Sequence, residues 1–167
     1  MNKIFYITII MAMVTFVACS NHKGDAEQLY NQTASLSISD SLTFNPLLWT
    51  VITTVMDKNK NTMSTLYGND IAVSHARIDG RSTYPQGATL SLVTWKKQED
   101  KHWFGAKIPQ QIQSIELIKY NSLENTTPKP LYEIYQGSPL RLSKGNDPSN
   151  IAERIAYITN QKASVIP

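Results

Sequence analysis

The chain offers few side chains able to do chemistry, and their spacing narrows the choice further. Its 167 residues contain three histidines and a single cysteine. One thiol excludes an intramolecular disulfide, a Cys-x-x-Cys redox pair and any multi-thiolate metal site within the chain. His102 stands in His102-Trp103-Phe104-Gly105, directly after the charged run Lys96-Lys97-Gln98-Glu99-Asp100-Lys101. Imidazole is a common iron ligand and aromatic walls pack a porphyrin, so His102 is a candidate axial ligand. The same residues suit better a hairpin or loop whose Trp103 and Phe104 cap a sheet. His75 is the second candidate, with a structural histidine as its alternative. A site joining both would need a carboxylate such as Asp70 or Asp100, and nothing in the spacing requires one; no metal site is expected. Turn chemistry accounts for Asp70 after Gly68-Asn69, and water would solvate Glu99-Asp100 in their charge run. Gly-x-Ser-x-Gly, Gly-x-Gly-x-x-Gly and P-loop patterns are absent, which leaves no catalytic residue to name.

The lone cysteine has a chemistry of its own. Lys3 precedes a charge-free apolar run from Ile4 to Ala18, the layout of a secretory signal. As a helix that run is about 22 Å long, short of a ~30 Å bilayer core, which argues against a permanent transmembrane anchor. Phe16-Val17-Ala18-Cys19 resembles a bacterial lipobox, with Phe16 in place of the usual leucine. The alternative is an apolar-run cysteine in a signal cut elsewhere, or in a retained anchor. On the lipobox reading residues 1–18 are a signal peptide, and acylated Cys19 holds the chain to a membrane of the bacterial cell envelope. It would face the periplasm or sit in the outer membrane. Two or three acyl chains, at ~0.8 kcal/mol per buried CH₂, make that anchor effectively permanent. Residues 19–42 then read as the lipidated cysteine and a polar tether, with a short helix around 26–33. His22 lies in the tether and is too isolated to be a ligand.

A formal charge of +3, from 16 basic and 13 acidic residues, is too even for a polybasic surface, so no nucleic-acid partner is expected. Residues 43–167 read as one folded domain. Trp49–Met56 is dense in β-branched and aromatic residues and reads as a strand, followed by a second over Thr62–Tyr67. A helix fits Asp70–Arg77, with Ile71, His75 and Ile78 at helical spacing. Ser82–Gly87 is turn-rich. The next strand, Ala88–Lys97, loses its alternation at Val93 and Trp95, which implies burial on both faces or a bulge. Gln111–Tyr120 places Ile115 and Leu117 inward and Ser114 and Glu116 outward, and Leu131–Gln136 is a further short strand. Asp147 and Pro148 start a helix whose stripe is Ile151, Ile155 and Ile158. The sum is an α+β domain with a single mainly antiparallel sheet and a few short helices.

Trp49, then Thr62-Met-Ser-Thr-Leu-Tyr-Gly68-Asn69-Asp70-Ile-Ala72-Val73, then Tyr84-Pro85-Gln86-Gly87, then Leu90 to Trp95-Lys96, follow one another in an order that resembles the cytochrome P460 family. The resemblance covers roughly residues 46–120. It implies a periplasmic, sheet-dominated haem protein that tends to dimerise, as do the related beta-type cytochromes c-prime. Such proteins hold haem through a Cys-x-x-Cys-His whose histidine is the axial ligand, and they oxidise hydroxylamine or bind nitric oxide. Here no cysteine follows Cys19 and no histidine follows His102. The lysine that cross-links the macrocycle in cytochrome P460 would fall near Leu92. Covalent haem is therefore not expected, and two readings stand. One is an envelope binding or interaction protein, possible as a homodimer. The other is an oxidoreductase acting on small nitrogen compounds or peroxide through non-covalent haem, held by His102 first and His75 second.

Overall fold

Six strands form one sheet in the computed structural model, which describes residues 31–37, 40–79, 83–121, 129–143 and 148–164. They are β1 (Thr50–Asp57), β2 (Thr62–Gly68), β3 (Thr89–Glu99), β4 (Lys107–Asn121), β5 (Lys129–Gln136) and β6 (Arg141–Leu142). Each pairs antiparallel with the next, so the sheet is a meander in sequence order. Two helices accompany it, α1 (Asp70–Asp79) and α2 (Pro148–Thr159), with short 3-10 turns at Gln32–Ala34 and Pro46–Leu48. This is the expected α+β arrangement. The signal segment, Cys19, His22 and the expected Asp147 cap lie outside the described residues.

Alternation along the strands sorts side chains to two cores. Ile52, Leu66, Leu90, Leu92, Ile118 and Tyr120 form one with Ala72, Val73 and Ala76 of α1 and Ile158 of α2. Val93, Trp95, Ile112, Ile115 and Tyr135 form the other, under Leu36, Leu42, Phe44 and Leu47 from the chain before β1. With both faces covered, Leu90, Ser91, Leu92 and Val93 are all buried in succession. The pairing of β3 with β4 also shifts on either side of Trp95, so the broken alternation there reflects both double burial and a bulge.

The stretch expected as a tether over 19–42 packs on the sheet from Asn31 onward. Trp95 Nε1 donates to the Ala34 carbonyl at 2.9 Å, and Asp40 Oδ1 accepts the Leu140 N–H at 2.8 Å. Its polar composition concealed Leu36 and Leu42, the apolar side chains that hold it down. Around residues 26–33, where a helix was expected, the described part contains the Gln32–Ala34 turn alone.

Asn69 organises the junction of β2 and α1. Its Oδ1 accepts the Ala72 N–H at 3.0 Å, capping α1, and the Thr89 N–H at 3.1 Å. Its Nδ2 donates to the Gly87 carbonyl at 2.8 Å, so the Gly68-Asn69 and Pro85-Gln86-Gly87 elements hold each other. Gly87 there has φ +82°, a conformation glycine adopts at low cost. The stripe expected on α1 is corrected: Ile71 and Ile78 are exposed, and Ala72, Val73 and Ala76 face the sheet. A Cβ on Gly68 would lie 2.8 Å from Ile52 Cδ1 and 3.0 Å from Ala72 Cβ. Only small side chains fit so close an approach, which turns the isoleucines outward.

Candidate ligand-binding site

Beyond α1, the same face of the sheet does not close. A cavity of about 640 Å³ opens between the sheet and α2, within the size range of small-molecule pockets. Leu92 and Thr94 of β3, Ser114 and Glu116 of β4, and Tyr132 and Ile134 of β5 line it from the sheet. Asn150, Ile151, Arg154 and Tyr157 line it from α2, while Asp57, Lys60 and Thr62 close the end near the β1–β2 turn. The expected stripe of α2 is present and divides its work. Ile158 is fully buried, Ile155 packs against the core, and Ile151 faces the cavity.

The sequence reading placed Glu116 outward, and this is corrected. It is 4% exposed and turns into the cavity, where a buried carboxylate needs partners. Arg154 supplies two: Nε donates to Oε2 at 2.9 Å and Nη2 to Oε1 at 2.5 Å, a bidentate pair. Tyr132 Oη donates to Oε2 at 2.6 Å. The Arg154 guanidinium also sits 4.8 Å from the Tyr157 ring centroid, a cation–π contact. Hydrogen bonding to Glu116 raises the Arg154 pKa, so the guanidinium keeps its charge. Burial, and then the Glu116 carboxylate, push the Tyr132 phenol far above its ordinary value, so it stays protonated. Asp57 is held below the usual carboxyl range by the backbone N–H groups of Lys60 and Asn59. Two carboxylates, Asp57 and Glu116, thus face two cations, Lys60 and Arg154, and the lining is neutral overall.

The histidines lie elsewhere. His75 is half-buried on α1, its ring 4.5 Å from that of Tyr84, which in turn stacks on Tyr120. His102 is exposed on the β3–β4 turn. Neither lines the cavity. Asp70 is the exposed first residue of α1, where a negative charge complements the helix dipole. Glu99 pairs with Lys107, and Asp100 accepts the backbone N–H groups of His102 and Trp103. Among the described residues no group of three or more His, Cys, Asp or Glu side chains is placed to hold a metal ion.

The haem that the family resemblance implies does not fit this wall. Its lining contains no histidine, cysteine or methionine. Tyrosinate is the remaining usual ligand; burial and Glu116 hold Tyr132 as the neutral phenol, and the other lining tyrosine, Tyr157, lies with its ring under the Arg154 guanidinium. Leu92, where the cross-linking lysine would fall, presents an alkyl chain instead.

Two signals in the sequence point to this site. Glu116 interrupts the apolar run Ile115 to Ile118, and Arg154 falls on the Ile151–Ile155–Ile158 stripe of α2. A charge inside each apolar pattern marks a buried pair, provided both faces of the sheet are known to be covered.

Among curated proteins none matches the chain. A sequence model of the cytochrome P460 family matches residues 48–148, which span all six strands and α1. By that match over more than half its length, the chain belongs to the cytochrome P460 family, a family of haem proteins.

Proposed function

We propose that this is a lipid-anchored binding protein of the bacterial envelope, acylated at Cys19, whose cavity takes a small ligand in place of covalent haem. The observation that carries the reading is the cavity wall itself. Glu116, Arg154 and Tyr132 satisfy one another, which pre-organises the floor without leaving a reactive group unpaired. Thr62, Ser64, Thr94, Gln113, Ser114, Gln136 and Asn150 add neutral donors and acceptors around a lining whose charges cancel. That chemistry suits a neutral ligand rich in hydroxyl or amide groups, with Tyr157 as an apolar platform. Loss of the attachment motif from the sequence after Cys19 agrees with a scaffold turned to binding.

Thermal unfolding of the purified full chain against a panel of neutral saccharides, polyols and amides tests the reading. At least one class should raise the midpoint in a concentration-dependent way, as preferential binding to the native state requires. Ser114→Trp, which fills the floor of the cavity, should abolish the shift. A panel without effect, or a shift unchanged in Ser114→Trp, would count against the cavity as the site.

A further inference from the structure

The turn between β3 and β4 presents Trp103 at 72% exposure and Phe104 with its ring wholly in solvent. Large aromatics gathered at one tip mark a contact surface. The tip is built to hold them there. Asp100 Oδ1 accepts the N–H groups of His102 and Trp103 at 2.7 and 3.3 Å. Asp100 N donates to the Ala106 carbonyl and Ala106 N to that of Trp103, both at 3.0 Å, and Gly105 takes φ +77°. In sequence it is flanked by Lys96, Lys97, Lys101 and Lys107 against Glu99 and Asp100, an excess of positive charge that remains after Glu99 pairs with Lys107. Tryptophan and phenylalanine flanked by lysines are the chemistry of a protein segment that enters the headgroup layer of an anionic bilayer.

The place where the chain enters the folded domain points the same way. Asn31 Nδ2 donates to the Pro109 carbonyl, and Pro109 pairs with Lys97 just below the turn. Phe104 is five residues from Pro109, at most about 17 Å along the strand, and Asn31 is twelve residues from Cys19, a reach of at most ~40 Å. A lipid on Cys19 would therefore let this end of the sheet reach the membrane. We infer that the Trp103–Phe104 tip inserts into the headgroup region of the bilayer that holds the acylated Cys19, an inference that rests on the lipid anchor proposed above. The acyl anchor makes insertion of the tip an intramolecular step, so even a weak contact there would fix the orientation of the domain and turn one end of the sheet toward the lipid.

The full chain reconstituted in vesicles of phosphatidylethanolamine and phosphatidylglycerol, with ordinary or brominated acyl chains, tests this. Bromine quenches tryptophan in the bilayer, and Trp103→Phe identifies which share of the emission belongs to Trp103. The expected result is loss of the Trp103 share in brominated vesicles, with the emission of Trp103→Phe unchanged between the two. Equal emission of the native chain in both vesicles overturns the inference. So does a dimer in sedimentation that Phe104→Ser dissociates while Trp103 stays unquenched, because a second copy then covers the tip. The mass of the N-terminal peptide from the same sample reports acylation separately. An unmodified Cys19 with quenched Trp103 refutes the anchor and keeps the tip, whereas an acylated Cys19 with unquenched Trp103 does the reverse.

Discussion

The two helices cover one face of the same sheet by opposite means. α1 brings Ala72 and Val73 down onto Gly68, so that a Cβ there would lie 3.0 and 3.4 Å from their side chains, and Ala76 joins the same core. α2 places Ile158 in the core but reaches the sheet farther along through Arg154, whose long side chain spans to Glu116. Small side chains close the face, and a charged strut holds it open. The strands beneath are continuous, so side-chain length at the helix decides where the domain has a core and where it has a pocket.

The largest effect should come from the closed end. Gly68→Val puts new carbon against Ile52 and Ala72 where a single Cβ already lies at 2.8 and 3.0 Å. Overpacking of this kind costs about 2–3 kcal/mol, read as a lower midpoint in chemical denaturation. If α1 could move off the sheet to admit the new carbons, the variant would unfold at the native midpoint.

At the open end Glu116→Ala removes the acceptor of both Arg154 and Tyr132. Arg154 has 37% of its side chain in solvent, so water recovers part of the loss, and the cost should be about 1–2 kcal/mol. A cost equal to that of Gly68→Val would mean that the pair is sealed from water and that the cavity is closed at this point.

The smallest effect concerns protons. Burial raises the phenol pKa of Tyr84 and Tyr120 at the closed end, and burial together with Glu116 raises that of Tyr132 at the open end. A raised folded-state value favours the neutral form in the native chain. This share of stability is complete below about pH 10, the unfolded value, and is lost as pH rises through the folded-state values. This share of the thermal midpoint should therefore fall only as pH rises above about 10. Phenolate absorbance in Glu116→Gln should show one tyrosine ionising earlier, with the late titration of Tyr84 and Tyr120 kept.

Much of the fold was legible because strand patterning is local. β1 to β5 follow from runs such as Trp49–Met56 and Gln111–Tyr120, and the stripe of α2 follows from its isoleucines. The errors came from contacts distant in sequence. Period-two alternation puts Glu116 outward on a sheet with one wet face, yet here α2 and Arg154, 38 residues on, cover that face. Ile71 and Ile78 read as the buried side of α1 until the close approach at Gly68 is known. Polar residues before Thr43 read as tether, although Leu36 and Leu42 lie on the second core. The histidines stand out by residue type, whereas Glu116, Tyr132 and Arg154, which pair in the cavity wall, lie outside the elements that carry the family resemblance.

Absorbance titration of the full chain with haemin tests the central claim, that this cytochrome P460 scaffold keeps its cavity without a haem ligand in the wall. The account predicts no saturable Soret band and no change in Glu116→Ala or His102→Ala. A sharp band saturating at one haem per chain, and lost on His102→Ala or on filling the cavity with Ser114→Trp, would contradict it.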